Sequence, residues 1–395
     1  MGTFLEVDGG APVHTFYSSA SWIEGAATHQ LVQVAQMPGI RALAAMPDLH
    51  PGKYGPVGCA ILAGQVLPRF VGSDIGCGMG LFQLDLAVRK LRVNRAAERL
   101  ESLEDARVRG LNGDCPEDVP GALADAGLQS TSFDGSLGTI GGGNHFCELQ
   151  AIEDLYDADA AAQAGLDKSR AFALVHSGSR GFGHAILESL LERGQDSFDV
   201  GGDDATAYLD THDEAVRWAR ANRRLIAERA ARALRADAAA IVDQPHNFLE
   251  QTPGGVLHRK GAAPADRGLV PVPGSRGTLS YLVKPTGACP EALASLAHGA
   301  GRKYDRGSMH GRIRTSKADR ANLERNPFGG RVVCTSRDLL VEEAPDAYKS
   351  IDRVIDDLVS HGLATVVASF RPLVTYKTAR PERRARAADK RSARR

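Results

Sequence analysis

Glycine-rich segments that also carry histidine recur along the whole 395-residue chain. Glycine lets a backbone turn sharply and approach a ligand closely, and histidine binds metals or acts as a nucleophile. A hydrophobic core needs apolar residues at regular spacing and has no use for this repeated pairing. The pattern therefore predicts one metal and phosphate site that is built from many loops. The segments begin at Met46, Val71, Gly141, His176, His246, His258, Pro273 and His298.

Helical and strand patterns are mixed along the chain, which predicts an α/β fold of the mixed α+β kind. Helical spacing predicts helices over about 86–110, 205–240, 290–297 and 345–361. Short apolar runs predict strands at Ala60–Leu62, Gly80–Leu86, Phe172–Val175, Leu279–Val283, Val332–Thr335 and Ala364–Ala368. The glycine-rich segments lie mostly at strand ends, so we expect the site at loop mouths. Because no Pro/Ser linker divides the chain, we expect one large domain over residues 1–378 with central β-sheets.

Charge is distributed unevenly, although the formal net charge is zero. Eight Lys and Arg residues against Glu382 and Asp389 give residues 378–395 a net charge of +6, which leaves about −6 on the rest. The stretch lacks large apolar residues, so we expect residues 379–395 to form a basic disordered tail. Such a tail either keeps the protein in solution or attracts nucleic acid weakly and without specificity.

Cysteine usage and hydropathy indicate the compartment. The six cysteines include no CxxC pair, which is typical of reduced thiols and not of a disulfide framework. The N-terminus has no basic region followed by an apolar stretch, so we expect no signal peptide. No run approaches 18 apolar residues, so we expect no transmembrane helix. These observations predict a cytoplasmic protein that makes no membrane contact.

Carboxylate, thiol and imidazole groups occur together in the glycine-rich segments. Asp74 and Cys77 share a turn, and the pair suits a borderline-soft divalent cation, two of which a thiolate can bridge. A buried structural thiol is the alternative for Cys77 alone, but Asp is rarely buried without a partner. His145 could share a site with Asn144 and Glu148 only at the open end of their strand. Otherwise the three are a satisfied histidine, a turn residue and a solvent-facing strand residue.

Two more histidines stand beside turns. His176 ends an apolar run just before the segment that carries Arg180. His246 and Asn247 follow Pro245 and a long predicted helix, where an ordinary loop that ends the helix is the alternative. No spacing matches a zinc finger or an HExxH metalloprotease, so the specificity lies in the whole set.

Several glycine-rich stretches could offer backbone N–H groups to phosphate, and none fits a P-loop or a GxGxxG fingerprint. Arginine suits bidentate phosphate contacts, and we expect Arg180 to contact RNA or phosphate; a solvated surface charge is the alternative. His298 precedes Gly-Ala-Gly-Arg and is predicted to follow a helical segment. Its imidazole can attack phosphorus, or it interacts with the helix dipole. Lys377, taken alone, would be a surface lysine.

Taken together and in this order, the segments resemble the RtcB family of RNA ligases from Met46 to Lys377. The stretches Gly141–Glu148, Glu342–Lys349 and Val374–Lys377 are most similar to the family's release factor H-coupled RctB subgroup. The resemblance implies a GTP-dependent ligase that joins RNA 3′-phosphate or 2′,3′-cyclic phosphate ends to 5′-hydroxyl ends. It also suggests RNA repair and a functional link to a peptide release factor.

The resemblance further implies a role for each site residue. His298 would be guanylylated by GTP and would pass the guanylate to the RNA 3′-phosphate, which the 5′-hydroxyl then attacks. Cys77 would bridge two Mn²⁺ ions, whose ligands would be Asp74, Cys77, His145, His176 and His246. The guanylate would contact Asn144, Glu148, Asn247, Ser275, Ser280, Gly301 and Lys377.

Two other functions are compatible with the same residues. A metal-dependent cyclic phosphodiesterase that does not ligate would need the five metal ligands but neither His298 nor Lys377. A non-enzymatic RNA-binding protein would rely on the basic tail and would need none of the ligands.

Overall fold

A computed structural model describes residues 2–101, 103, 115–314 and 316–378 of the chain. The basic tail predicted for residues 379–395 lies outside the described residues, and so does part of the helix predicted over 86–110. The strands are β1 (Thr3–Leu5), β2 (Val13–Thr15), β3 (Ile40–His50), β4 (Val57–Ala63), β5 (Gln65–Val66), β6 (Gly78–Ala87), β7 (Phe146–Leu155), β8 (Arg170–Ser177), β9 (Phe198–Asp199), β10 (Ala238–Pro245), β11 (Asn247–Thr252), β12 (Gly255–Lys260), β13 (Ala262–Pro264), β14 (Val270–Val272), β15 (Ser280–Pro285), β16 (Ser295–Ala297), β17 (Arg331–Cys334) and β18 (Ala364–Lys377). The helices are α1 (Gly25–Ala35), α2 (Pro68–Val71), α3 (Val93–Leu100), α4 (Val119–Asp125), α5 (Ala158–Gln163), α6 (Gly181–Glu192), α7 (Asp203–Leu234), α8 (Arg306–Arg312), α9 (Lys317–Leu323), α10 (Arg337–Glu342) and α11 (Ile351–Ser360).

Two mixed β-sheets form the centre of the fold, as the sequence predicts. A six-stranded sheet has the order β1-β2-β3-β4-β12-β11, and an eight-stranded sheet has the order β10-β6-β8-β7-β18-β15-β14, with β17 parallel to β18. Several neighbours in the sheets, such as β4 and β12 or β7 and β18, come from distant parts of the chain. Residues far apart in sequence therefore meet at common sheet edges.

Helices cover the sheets because their apolar residues recur on one side. The long alanine-rich helix α7 packs Ile226, Ala230 and Leu234 against the eight-stranded sheet. Helix α11 begins at Ser350, whose hydroxyl accepts a hydrogen bond from the Arg353 N–H and so satisfies a free donor of the first turn. Its apolar stripe enters the core between the two sheets.

Alternation along β3 places neighbouring residues in different cores. Ala44 and Met46 face the core that contains α11, whereas Leu43 and Ala45 face the core that contains α1. The six-stranded sheet is thus covered on both faces. Such burial explains the nearly continuous apolar run of this strand.

All six predicted strands are present, as parts of β4, β6, β8, β15, β17 and β18, with Leu279 and Thr335 one residue outside the observed bounds. The helices predicted over 205–240 and 345–361 are confirmed as α7 and α11, with shorter bounds. None of the described helices is both long and apolar enough to cross a membrane.

One helix prediction is wrong. Residues 290–297 contain strand β16, because Leu293 and Ala294 adopt left-handed φ angles and Ser295–Ala297 then pairs with β13. The helix predicted over 86–110 is confirmed in part: the stretch begins as the end of β6, and Val93–Leu100 is an α-helix within its described residues. An apolar run this short has the same pattern in a buried strand as in a helix.

Candidate active site

The predicted metal ligands come from four adjacent strands of the eight-stranded sheet. Cys77 precedes β6, His145 precedes β7, His176 is near the end of β8, and His246 follows β10. These strands lie in the order β10-β6-β8-β7 and are antiparallel, so their starts and ends alternate at one edge. The expected position of His145 at the open end of its strand is confirmed. The prediction that His246 follows the long helix is wrong, because β10 pairs with β6 and separates the two.

The ligand atoms form two groups that share one sulfur. Asp74, Cys77 and His145 make one group, and Cys77, His176 and His246 make the other, with the ligand atoms of each group within 4.8 Å of one another. The Cys77 Sγ is 3.3 Å from His145 Nε2 and 3.2 Å from His176 Nε2. The Nε2 atoms of His176 and His246 are 3.3 Å apart.

The protonation of the histidines favours metal binding. The Nδ1 of His176 donates a hydrogen bond to the carbonyl oxygen of Asn144 at 3.2 Å. The proton is then on Nδ1, and Nε2 has a lone pair that can bind a metal. Burial lowers the pKa of His176 and of His246 well below the ordinary value, so both rings are neutral. The Nδ1 atoms of His145 and His246 are buried without a hydrogen-bond partner in the described part of the chain. Neutral imidazoles converging on a thiol and a carboxylate fit a divalent transition metal.

Asp74 brings negative charge to the first group. Its Oδ2 is 2.9 Å from the Nε2 of His145. Burial opposes ionisation, but the nearby His145 and the hydrogen bond with Cys77 hold the pKa of Asp74 below its ordinary range. Gly178 lies so close that an added Cβ would collide with Oδ1 of Asp74. The glycine of the His176 segment is therefore required for the close approach of backbone and carboxylate.

A cavity of about 280 Å³ joins these ligands to the predicted phosphate side. Of the residues predicted for the site, it is lined by Asp74, Cys77, Asn144, Glu148, His176, His246, Asn247, Ser275, His298, Gly301 and Lys377. His145, Ser280 and Arg180 are not part of this lining. Ser280 lies one layer behind, where its Oγ accepts a hydrogen bond from Gln150 Nε2. Arg180 lies against Gly141, and its Nε donates to the Thr139 hydroxyl.

His298 projects into the cavity next to the metal ligands. Its ring centroid is 4.4 Å from that of His246. Its Nδ1 is 2.6 Å from the Oδ2 of Asp48, and its backbone N–H donates to the same oxygen at 3.2 Å. Asp48 is completely buried. The Nδ1 makes no hydrogen bond of good geometry with the described residues, so its contact with Asp48 is an ion-pair distance; with the proton on Nδ1, Nε2 of His298 is the nucleophilic atom. The residue follows strand β16 and not a helix, so the predicted alternative of a helix-dipole contact is wrong.

Glu148 and Lys377 also line the cavity. Glu148 accepts hydrogen bonds from Gln150 Nε2 at 2.8 Å and from the Thr375 hydroxyl. Burial raises the pKa of Glu148 to about 7. Lys377 is buried at the end of β18, where its Nζ donates to the carbonyl of His145 at 3.1 Å. Burial also lowers the pKa of this lysine.

Glu343 is a charged residue of the cavity to which the sequence assigned no role. Its buried carboxylate lies 2.9 Å from Arg302 Nη1 and 3.1 Å from Arg306 Nε, and it accepts a hydrogen bond from the hydroxyl of Tyr348. Burial opposes ionisation, but Lys377 and these arginines keep the pKa of Glu343 below its ordinary value. Glu343 lies in the stretch Glu342–Lys349, which contributes to the family resemblance. A buried acid beside arginines is the signal that could have identified Glu343 as a residue of the site.

Comparison with known proteins gives a consistent result. The family model described as "tRNA-splicing ligase RtcB" matches residues 30–120 and 112–378. The chain is 43% identical to an Escherichia coli protein named RNA-splicing ligase RtcB2, over 92% of this chain and 95% of the relative. It is 32% identical to the RNA-splicing ligase RtcB of Mycobacterium tuberculosis, over 88% of this chain and 100% of the relative. It is 30% identical to the tRNA-splicing ligase RtcB of Archaeoglobus fulgidus, over 90% of this chain and 92% of the relative.

Proposed function

Since the chain belongs to the RtcB family and is an RNA ligase, we propose that it joins RNA 3′-phosphate or 2′,3′-cyclic phosphate ends to 5′-hydroxyl ends through a guanylylated His298. One observation carries this proposal. Two groups of metal ligands share Cys77, and the imidazole of His298 lies directly beside one of them, 4.4 Å from the ring of His246. A metal pair next to an oriented histidine is the arrangement that nucleotidyl transfer to nitrogen requires.

The proposed resident ions are two Mn²⁺, and the resident nucleotide is GTP. Asp74 and His145 would hold one ion, His176 and His246 the other, and Cys77 both. Nitrogen and sulfur ligands with one carboxylate suit a transition-metal ion better than Mg²⁺, which prefers oxygen, and the choice of Mn²⁺ among such ions follows the family resemblance. Bound there, the ions would supply positive charge that offsets the charge of the triphosphate.

His298 carries the covalent step. Its Nε2 attacks the α-phosphorus of GTP, a P–N bond forms, and the P–O bond to the β-phosphate breaks with release of pyrophosphate. Asp48 stays paired with Nδ1 and stabilises the positive charge that develops on the ring. A 2′,3′-cyclic end is first hydrolysed by water, which breaks the P–O bond to the 2′-oxygen and leaves a 3′-phosphate. An oxygen of the RNA 3′-phosphate then displaces His298 from the guanylate. Attack by the RNA 5′-hydroxyl on the activated 3′-phosphate releases GMP and closes the new phosphodiester.

Other residues of the cavity lining are proposed to hold the guanylate. They are Asn144, Glu148, Asn247, Ser275, Gly301 and Lys377, with Ser280 acting through Gln150 behind Glu148. The Glu148 carboxylate is an acceptor for the N–H groups of guanine, which adenine lacks at the same edge. Arg180, placed against Gly141 outside this lining, remains a candidate for contacts to RNA phosphate.

Affinity for GTP is expected to depend on pH through Glu148. Its pKa of about 7 means that the carboxyl group is protonated below neutrality and then cannot accept both guanine N–H groups. The dissociation constant for GTP should therefore rise about fivefold from pH 7 to pH 6 and stay nearly constant above pH 8. Isothermal titration of the metal-loaded protein measures this profile. The Glu148→Gln variant should bind GTP weakly with a flat profile, and an unchanged slope in that variant would argue against the assignment.

Ligation itself separates the proposed function from its alternative. Two RNA fragments, one with a 2′,3′-cyclic phosphate and one with a 5′-hydroxyl, should be joined only when GTP and Mn²⁺ are both present. A cyclic phosphodiesterase would open the cyclic end without GTP, would form no joined product, and would keep full activity in His298→Ala. Opening of the cyclic end without joining, under conditions where metal is bound, would replace the proposed function with that alternative.

The similarity of Glu342–Lys349 to the release factor H-coupled RctB subgroup supports a narrower proposal. The physiological RNA would be one that is cleaved during translation, and repair would be linked to a peptide release factor. Ligation of RNA fragments recovered from stalled ribosomes tests this point.

A further inference from the structure

An exposed aromatic and cationic patch lies outside the cavity. It consists of Trp22, Lys303, Tyr304 and Arg312. The Trp22 side chain is 49% exposed, and its ring centroid lies 6.3 Å from that of Tyr304. The Nζ of Lys303 is 5.0 Å from the Trp22 ring centroid and 5.2 Å from the Tyr304 ring centroid, and the Arg312 guanidinium lies 3.8 Å over Tyr304. Two π-faces and two cations are therefore combined on one surface.

The core holds the patch in place from two sides. The loop before α1 is fixed by the buried carboxylate of Asp357, which accepts hydrogen bonds from the Ser18 N–H and from the Ser21 hydroxyl. Lys303 and Tyr304 both donate their backbone N–H groups to the carbonyl of Ala347. These anchors fix the loops that carry the aromatic rings before any ligand binds, which lowers the entropic cost of binding.

The patch adjoins the candidate active site. Arg302 and Arg306, which flank Lys303 and Tyr304 in sequence, both line the cavity. Helix α8 begins at the cavity with Arg306 and ends in the patch with Arg312. By the helical rise the two ends are only about 9 Å apart. A polymer whose reacting end occupies the cavity would pass directly over the patch.

We infer that the Trp22–Lys303–Tyr304–Arg312 patch is a binding site for single-stranded RNA next to a reacting end, an inference that rests on the proposed function. A base stacks on the exposed face of Trp22, while Lys303 and Arg312 pair with phosphates. Alternating π-faces and cations bind single strands with little dependence on base sequence. Charge complementarity favours a polyanion, because these cations stand out on a chain that is net acidic apart from its tail.

Tryptophan fluorescence reads this site directly. The chain contains two tryptophans, and the second, Trp218, is only 1% exposed. A short oligouridine with hydroxyl groups at both ends binds without being ligated and should quench the emission of Trp22. Trp22→Phe should lose the quenching and keep the affinity, whereas Trp22→Ala should weaken binding about tenfold. Lys303→Gln should make the slope of log affinity against log salt concentration shallower by about one, the value for a single lost phosphate contact.

Controls separate stacking from other effects. An abasic oligomer of equal charge should bind without quenching. Tyr156→Ala removes another exposed aromatic side chain, 57% exposed and just past the end of β7, and should change nothing. Trp22→Ala should raise the KM for RNA in ligation about tenfold with kcat preserved.

Labelling of His298 by GTP, which needs no RNA, is followed on the same preparations. The RNA-binding patch is refuted, while the ligase function stands, if three results occur together. His298 of the wild type is labelled, oligouridine does not change the emission of the wild type, and Trp22→Ala has the wild-type KM for RNA. If His298 is not labelled, the proposed function fails, and quenching alone still decides whether the patch binds RNA.

Discussion

Cys77→Ala is expected to abolish binding of both metal ions and to lower ligation more than about 1,000-fold. The sulfur belongs to both ligand groups, and among the five proposed ligands Cys77 is the one that the two groups share. His145→Ala and His246→Ala should each reduce the bound metal from two equivalents to one, because each imidazole belongs to one group. Elemental analysis of the dialysed variants after loading with Mn²⁺ measures the stoichiometry.

Cys59→Ala is the matched control for this prediction. Cys59 is also a completely buried free cysteine, but it packs in the core with α1 and away from the ligands. Its replacement should lower stability modestly and leave two equivalents of metal bound. Retention of both ions in Cys77→Ala would identify Cys77 as a structural thiol, which is the alternative that the sequence leaves open.

Asp48→Asn is expected to slow guanylylation of His298 by about 100- to 10,000-fold, as amide replacement of an orienting carboxylate does in triad enzymes. The Oδ2 of Asp48 faces both the Nδ1 and the backbone N–H of His298. An amide has one acceptor and one donor group, so it can turn its NH₂ towards Nδ1 and favour the wrong tautomer. The rate of label transfer from GTP in the absence of RNA measures this step alone.

The appropriate control is a buried aspartate elsewhere. Asp357 is 1% exposed on α11 and anchors the Trp22 loop. Asp357→Asn should cost stability without changing the guanylylation rate at saturating GTP. If Asp48→Asn lowers the melting temperature but labels at the wild-type rate, Asp48 has only a structural role.

The strand pattern could be predicted from the sequence because its signals are local, whereas the set of metal ligands was implied by the family resemblance and stays a proposal. Six apolar runs are strands, and the histidine-bearing segments lie at strand ends. Glycine beside a ligand, as at Gly178 next to Asp74, reflects a steric requirement that acts over short distances. Such local requirements can therefore be seen in the amino-acid sequence.

Contacts that the topology creates could not be predicted in the same way. Asp48 and His298 are 250 residues apart, and only the meeting of β3 with the loop after β16 joins them. The structure also places Ser280 behind Glu148, although its motif suggested direct contact with the nucleotide. Residues 290–297 were misassigned because alanine and leucine suit a short buried strand as well as a helix.

The central claim is that His298 is the nucleophile of a guanylylating ligase. Intact mass spectrometry after incubation with GTP and Mn²⁺ tests it most directly, with wild type and His298→Ala compared under conditions where both bind metal. The account predicts one added guanylate on the wild type, lost in acid as expected for a P–N bond, and none on the variant. A metal-loaded wild type without the adduct, or an adduct that survives in His298→Ala, would contradict the account.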